Sequence, residues 1–129
     1  MATHGAARLT GVTTDLIRLV LDVGAKRDIA VVQGARTIEE EQTDIDRGVS
    51  RLKDPRHSLH VIIPGERPFA LAVDLAPWPI NWADKQSFIE LGAFMKQRAA
   101  ALGIEPFSWG GDWPHAFDFD HFQKAPAPQ

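Results

Sequence analysis

A glycine-rich turn and the acidic, aromatic run that follows it constrain the fold of this chain more than any other segment. The turn is Trp109-Gly110-Gly111-Asp112-Trp113, and the run is Asp118-Phe119-Asp120-His121-Phe122. Together they place a carboxylate, Asp118, three residues before a histidine, His121. The fold must therefore hold two titratable side chains close to a tight, tryptophan-flanked turn, which glycine favours because it has no Cβ.

Two upstream motifs add side chains of the same kind. Ser58-Leu59-His60 ends in a histidine, and Ala72-Val73-Asp74 ends in a carboxylate at the end of an apolar segment, where an aspartate is costly unless it is paired or bound to metal. His60, Asp74 and His121 form a two-histidine, one-carboxylate set that suits a catalytic zinc ion, with one position left open for water. Hydrolysis by that water also needs a general base, and Asp118 remains available.

These motifs resemble those of the zinc peptidases of the D-Ala-D-Ala metallopeptidase type, and within that family those of phage endolysins that cut the L-Ala–D-Glu bond of peptidoglycan. The resemblance runs from about Val31 to Gln123. It implies a Hedgehog/DD-peptidase-like fold, a Zn²⁺ cofactor and the peptidoglycan stem peptide as substrate. The matching pieces are Gly34-Ala35-Arg36-Thr37, Glu41-Gln42, Ser58-x-His60, Ala72-Val73-Asp74, Trp109 to Trp113, and Asp118 with His121.

The resemblance also implies two catalytic roles. Asp118, three positions before His121, matches the catalytic base of the family. Arg36 would be a fixed cation that stabilises the negative charge developing on the scissile carbonyl. The alternative for Arg36 is a solvated side chain paired with Glu39 or Glu40.

Three side chains are expected to contact the substrate: Ser58, Trp78 and Trp113. Ser58 would either touch the substrate or hold the loop that carries His60. The tryptophans near the proposed site are expected to form core and cleft walls.

The first zinc ligand stays open between His60 and His57. The family usually places its first histidine about seven residues before the aspartate, whereas His60 and Asp74 are fourteen residues apart. Residues Val61–Pro68 would then be an inserted loop.

The identity of the base is open as well. In an ideal strand, Asp118 and Asp120 share one face while His121 points to the other. A bend or bulge would be needed to bring Asp118 and His121 to one metal, and Asp120 is the alternative base.

Composition excludes several classes of protein. The 129 residues are the length of one domain. The chain has no cysteine, so disulfides and thiolate metal sites are excluded. A formal net charge of −3 argues against a nucleic-acid partner. No apolar run is long enough to predict stable membrane insertion, and no secretory signal is expected.

Hydrophobic periodicity predicts a single α+β domain over residues 1–123, with an antiparallel sheet flanked by helices, and a disordered Pro/Ala tail over 124–129. His4 is expected in an untethered N-terminus. The predicted helices are Thr14 (or Thr13)–Lys26, Thr37–Arg47, which Thr37-Ile38-Glu39-Glu40 would start as a capping box, and Asp84–Leu102. The predicted strands are Asp28–Gln33, Phe69–Leu75, Phe107–Trp109 and Phe117–Phe122.

The resulting functional hypothesis is a monomeric zinc endopeptidase. By the resemblance, it is made in the host cytoplasm and acts on the cell wall after the membrane is permeabilised. A D-Ala-D-Ala carboxypeptidase or dipeptidase of the same fold is one alternative. A non-catalytic peptidoglycan-binding module is the other, favoured by the longer spacing between His60 and Asp74.

Overall fold

A mostly antiparallel sheet organises the chain in this computed structural model, which describes residues 1–114 and 118–128. Within those residues the strand order is β1-β2-β3-β5-β4; β1 is parallel to β2 and the other neighbours are antiparallel. The strands are β1 (Thr3–His4), β2 (Ile29–Gln33), β3 (Ala72–Pro77), β4 (Ser108–Trp109) and β5 (His121–Gln123).

The helices are α1 (Thr14–Gly24), α2 (Ile38–Asp46) and α3 (Lys85–Ala101), with short 3-10 turns at Ala6–Leu9, Pro55–His57 and Gly110–Asp112. All three helices match predicted segments to within two residues at each end, and the expected α+β architecture is confirmed. No helix of the described residues is long and apolar enough to cross a membrane.

The core lies between the sheet and the pair α1 and α3. The apolar residues of α1 recur every three or four positions, so they form one stripe that faces the sheet. Burying each large side chain contributes about 1.5–3 kcal/mol. The buried residues of these helices and strands include Leu16, Leu19, Val20, Val23, Leu91, Met95, Ala99, Ile29, Val31, Val73, Leu75 and Phe122.

Strand alternation sends polar side chains to the opposite face of the sheet. Val73 and Leu75 of β3 are fully buried in the core, so Asp74 between them points away from it. In β5, Phe122 is in the core and its neighbours His121 and Gln123 share the other face. Two adjacent strands thus present their polar residues on one surface.

The start of α2 follows the predicted capping box. Thr37 Oγ1 accepts a hydrogen bond from the Glu40 backbone N–H at 3.0 Å, and Glu40 Oε1 accepts one from the Thr37 N–H at 2.9 Å. This box fixes the start of α2 at Thr37, the residue after Arg36.

The predicted strand Phe117–Phe122 is wrong in its extent. Strand β5 begins only at His121, and the preceding residues form a turn in which the His121 N–H donates to the Asp118 carbonyl at 3.2 Å. Phe117 lies outside the described residues. The bend that the metal hypothesis required is therefore present.

The N-terminus is tethered, contrary to expectation. Thr3 and His4 pair with Ile29 and Ala30 as the parallel edge of the sheet. The His4 ring also stacks on Trp78, with centroids 4.0 Å apart.

The segment after β5 makes defined contacts. The Lys124 N–H donates to the Leu71 carbonyl at 2.8 Å, and Ser108 Oγ donates to the Ala125 carbonyl at 2.8 Å. The division into a domain at 1–123 and a disordered tail at 124–129 stays a prediction, but at least these two residues are tied to the sheet.

Candidate metal centre

Three side chains converge on the polar face of the sheet. His60, Asp74 and His121 each offer one ligand atom, and these atoms lie within 4.8 Å of one another. His60 Nε2 is 3.2 Å from Asp74 Oδ1, and His121 Nδ1 is 3.3 Å from the same oxygen. The described residues thus bring together the set predicted from the two upstream motifs and the final histidine.

The strand register positions two of the three. Asp74 of β3 is the direct cross-strand partner of His121 of β5, so their side chains stand side by side on one face. On its other edge Asp74 is opposite Gln33 of β2. The carboxylate therefore lies on a central strand, which holds it rigidly.

Hydrogen bonds of the backbone position the third side chain of the group, His60. The Arg36 N–H donates to the His60 carbonyl at 2.8 Å, and the Ile62 N–H donates to the Arg36 carbonyl at 2.9 Å. Ser58 Oγ accepts a hydrogen bond from the His60 N–H at 3.3 Å. Ser58 is buried and so holds the loop of His60, one of the two roles expected for it.

The expected inserted loop, residues 61–68, is a tight hairpin closed by one arginine. Arg67 Nε donates to the Val61 carbonyl at 3.0 Å, and its Nη2 donates to the Ser58 and Arg56 carbonyls, each at 2.8 Å. Its guanidinium thus ties the hairpin to the segment that carries His60. Burial lowers the pKa of Arg67.

The hydrogen bonds of the two rings define which nitrogens face Asp74 with lone pairs. His60 Nδ1 is 2.8 Å from the Gly34 carbonyl, which only accepts, so Nδ1 carries the proton of a neutral ring and Nε2, 3.2 Å from Asp74 Oδ1, carries a second proton only when the ring is charged. His121 Nε2 is 2.8 Å from Gln123 Oε1, which leaves Nδ1 free in the same way.

Two free nitrogens and a carboxylate oxygen therefore point at one spot. A proton on a ring nitrogen or a metal ion satisfies acceptors that meet in this way, and two imidazoles with one carboxylate are a donor set that divalent transition metals take. The residues present fit a metal ion.

The electrostatics of the group favour positive charge. Burial works to raise the pKa of Asp74, but the hydrogen bonds and charges of His121 and His60 hold it well below its ordinary value. Burial works to lower the pKa of His121, but the hydrogen bond and charge of Asp74 raise it above its ordinary value. An ionised Asp74 thus attracts a cation to this spot.

His57, the competing first ligand, lies apart from the group. Its side chain is 72% exposed, and its Nε2 is 3.8 Å from an Asp54 carboxylate oxygen. It lines the same cleft but does not share a ligand position with Asp74.

Arg36 is brought to the cleft by the backbone bonds to His60. Its guanidinium forms an ion pair with Glu41 of α2, Nη1 to Oε1 at 2.6 Å, and not with Glu39 or Glu40 as the alternative had it. Glu41 is almost fully buried, and its Oε2 has no hydrogen-bond partner among the described residues. Arg36 itself stays partly exposed along the cleft.

Asp118 borders the metal group because of the turn before β5. Its N–H donates to the Gly110 carbonyl at 3.4 Å. A Cβ on Gly110 would lie 2.3 Å from the Asp118 carbonyl oxygen, so this close approach requires glycine. The glycine of the sequence motif thus sets where the carboxylate stands.

Asp120, the alternative base, is placed differently. It lines a separate cavity of about 310 Å³ with Trp82, Lys85 and Phe88, whereas Asp118 borders both cavities. Burial, the hydrogen bond to Asp118 and the charges of Asp74 and Asp118 raise the pKa of Asp120 to about 8.

The two tryptophans that were expected to contact substrate lie in different places. Trp113 lines the cleft, and its ring centroid is 5.2 Å from that of His121. Trp78 follows the end of β3, stacks on His4 and is not among the side chains that line the cleft, and its contact with substrate stays a prediction. The strand continues past Asp74 to Pro77, which carries Trp78 away from the metal group.

A cleft of about 790 Å³ contains the whole arrangement. Its walls come from α2, from the segment 49–60 and from the tail after β5. The residues that bear on its chemistry are Arg36, Glu41, Ser58, His60, Asp74, Trp113, Asp118, His121 and Gln123.

Sequence reasoning missed three contributors. Gly34 supplies the carbonyl for His60, and a Cβ on it would lie 1.8 Å from the Arg8 carbonyl oxygen. Gln123 accepts from His121, and Arg67 ties down the hairpin. A glutamine two residues after a ligand histidine on a strand shares its face, which is the signal that could have identified Gln123.

Comparison with known proteins agrees with this geometry. A family model of phage L-alanyl-D-glutamate peptidases matches residues 1–125. The L-alanyl-D-glutamate peptidase of Escherichia phage T5 is 35% identical over 95 residues, which are 71% of this chain and 64% of that protein. This chain therefore spans somewhat less than two thirds of the length of that relative.

The fold has a close counterpart among solved structures. The Serratia marcescens L-Ala D-Glu endopeptidase ChiX superposes with a TM-score of 0.74 at 23% identity, over 94% of this chain and 86% of that one. At this identity the match establishes the fold alone. With the family match over nearly the whole length, the chain belongs to the phage L-alanyl-D-glutamate peptidase family.

Proposed function

We propose that the protein is a zinc-dependent peptidoglycan hydrolase that cuts the L-Ala–D-Glu bond of the stem peptide and serves as a phage endolysin. The observation that carries the proposal is the joint placement of the metal group, Arg36 and Asp118 along one cleft. The names of the family and of its T5 member support the choice of bond.

Zinc is the proposed metal because catalytic zinc sites use three protein ligands of this type and leave one position open. His60 Nε2, Asp74 and His121 Nδ1 are the proposed ligands. Bound zinc supplies an acidified water and polarises the scissile carbonyl. Elemental analysis after dialysis should find about one zinc per chain.

Asp118 is the proposed base. It takes the proton of the attacking water and passes it to the leaving amine. Its position on the metal cleft favours it over Asp120, which faces the smaller cavity.

Arg36 is proposed to stabilise the negative charge on the scissile carbonyl oxygen. Its ion pair with buried Glu41 restricts the guanidinium, so the donor is oriented before substrate binds. Ser58 and Trp113 are the remaining proposed substrate contacts. Ser58 lies in the loop that carries His60, and Trp113 forms part of the cleft wall.

The family match and the T5 relative favour an internal bond over the terminal bond of a carboxypeptidase. A free terminal carboxylate calls for a dedicated cationic clamp. Arg67 and Arg56 do not line the cleft: Arg67 is bonded to three carbonyls, and Arg56 faces Glu66 at 3.5 Å. Arg51 lines it and is the cation that a carboxypeptidase would use for this clamp.

The decisive experiment is digestion of purified peptidoglycan, with the fragments identified by mass spectrometry and Asp118→Asn as the matched control. New N-terminal D-Glu is the expected product. Release of free D-Ala from the end of the stem peptide, with the L-Ala–D-Glu bond left intact, would support the carboxypeptidase alternative. Zinc-loaded protein that binds peptidoglycan but cuts no bond would support the alternative of a non-catalytic binding module.

We further propose that the protein acts as a monomer, without nucleic acid and without inserting stably into a membrane. Synthesis would take place in the host cytoplasm, and cleavage in the periplasm or cell wall once the membrane is permeabilised. Added protein should then clear a suspension of permeabilised cells and leave intact cells unchanged.

A further inference from the structure

Gln123 is a buried polar side chain for which the proposed chemistry has no direct use. It is 5% exposed and lies on β5, two residues after His121 and on the same face. Its side-chain amide connects two groups. Oε1 is 2.8 Å from His121 Nε2, and Nε2 donates to the Pro126 carbonyl at 2.8 Å.

The contact with Pro126 determines which way the amide points. A backbone carbonyl only accepts hydrogen bonds, so the NH₂ group of Gln123 must face Pro126. The amide oxygen then faces His121 and accepts from its Nε2–H. With the proton held on Nε2, the lone pair of Nδ1 faces Asp74 and the metal position.

The Pro126 carbonyl is itself held in place. Ser108 Oγ of β4 donates to the carbonyl of Ala125, the residue before Pro126. The Lys124 N–H donates to the carbonyl of Leu71, the residue before β3. Ala125, Pro126 and Pro128 also line the cleft. The segment after β5 is thus attached to the same sheet that presents the metal group.

We propose that Gln123 is a positioning residue for the metal centre and that the Pro126 carbonyl sets its orientation. Gln123 fixes the tautomer and the ring plane of His121, and so raises the affinity of the site for metal without touching the metal. The inference rests on the metal site of the proposed function. It also makes the segment 124–126 part of the centre.

The test compares zinc affinity in the full-length wild type with that of two variants, by competition with a chelator. Gln123→Met keeps the length of the side chain and removes the acceptor, so affinity should fall about 10- to 100-fold, as for other partners of metal-bound histidines. Gln123→Glu keeps an acceptor for the His121 N–H and should stay closer to the wild type. Gln97→Met, an exposed change on α3, is the matched control.

Two outcomes overturn the proposal. One is equal affinity of Gln123→Met and the wild type. The other is an equal loss in the Met and Glu variants, which would assign the effect to packing. Wild type that binds zinc but digests no peptidoglycan contradicts the proposed function and leaves this inference standing.

A second measurement needs neither variant nor activity. ¹⁵N spectra of histidine-labelled wild type, with zinc and without it at a pH where the rings are neutral, should show His121 protonated on Nε2 and not on Nδ1. The reverse tautomer would overturn the proposal even if a Gln123 variant fails to fold.

Discussion

Asp74 and His121 are direct partners across the β3–β5 ladder, and His121 Nδ1 lies 3.3 Å from Asp74 Oδ1. The two residues are separated by 47 positions in the sequence, yet the sheet register alone brings them together. His60 joins them from a loop held by Arg36 and Arg67. The metal site therefore depends on the sheet for two ligands and, for the third, on the loop that the hairpin of residues 61–68 holds in place.

His60→Ala and His121→Ala should each lose zinc, because removing one of three protein ligands leaves too few to hold the ion. His57→Ala should keep zinc and activity, since that ring is exposed and outside the group. Metal content after dialysis measures all three. Zinc loss in His57→Ala with zinc retained in His60→Ala would reverse the ligand assignment.

Asp118→Asn should separate metal binding from catalysis. The amide keeps the shape of the side chain but cannot accept the proton, so turnover should fall about a hundredfold or more while zinc stays bound. Asp120→Asn should retain more activity, because Asp120 borders the other cavity. If Asp120→Asn is the variant that abolishes turnover with metal retained, the base is Asp120.

Gly110→Ala should displace Asp118. The new Cβ would lie 2.3 Å from the Asp118 carbonyl oxygen, so the turn before β5 must shift. Such overpacking costs about 1–3 kcal/mol of unfolding free energy. Activity should fall more than zinc content does, because the shift displaces Asp118 in the turn, whereas His121 lies in the strand β5 that follows the turn. Unchanged activity together with unchanged stability would contradict the close approach of Gly110 to Asp118.

Arg36→Lys should lower turnover about 10²- to 10³-fold with zinc retained, because a lysine keeps the charge but loses the planar donors aimed at the oxyanion. Glu41→Gln should lower both stability and turnover, since it weakens the ion pair that orients Arg36. Steady-state kinetics and thermal unfolding distinguish the two. Wild-type turnover in Arg36→Lys would remove Arg36 from the mechanism.

The ion pair between α1 and α3 should make stability depend on pH. Asp22 accepts hydrogen bonds from Arg98 at 2.7 Å and 3.1 Å and from Lys26 at 2.9 Å, and these lower its pKa from 3.8 to about 2. A carboxyl group whose pKa is lower in the folded than in the unfolded state stabilises the fold. The stabilisation is fully present at a pH above the unfolded-state pKa, and it is lost as the pH falls through the folded-state pKa.

Asp22→Asn should therefore lower the unfolding free energy at pH 7, and its difference from wild type should shrink between about pH 4 and pH 2. Urea unfolding across this range, on metal-free protein, measures it. Glu90→Gln, an exposed change on α3, is the control. A difference that is constant with pH would mean that the pair does not couple protonation to folding.

The local chemistry of the site was readable from the sequence. Spacing of apolar residues predicted α1 and α3, and the capping box at Thr37 predicted where α2 begins. The motifs predicted the group of His60, Asp74 and His121 that the fold brings together, because ligand types are properties of the chain itself, whereas the role of Asp118 stays a prediction. These features are local, so the chain encodes them without reference to distant partners.

Only the tertiary structure decided which distant groups meet. It places His60, and not His57, beside Asp74 and His121. It also forms a turn where a strand was expected before His121, and it leaves Trp78 outside the lining of the cleft. Strand register, the hairpin closed by Arg67 and the contact of Gln123 with Pro126 depend on pairings across many residues. Such pairings are set by the packing of the whole domain, which no local pattern specifies.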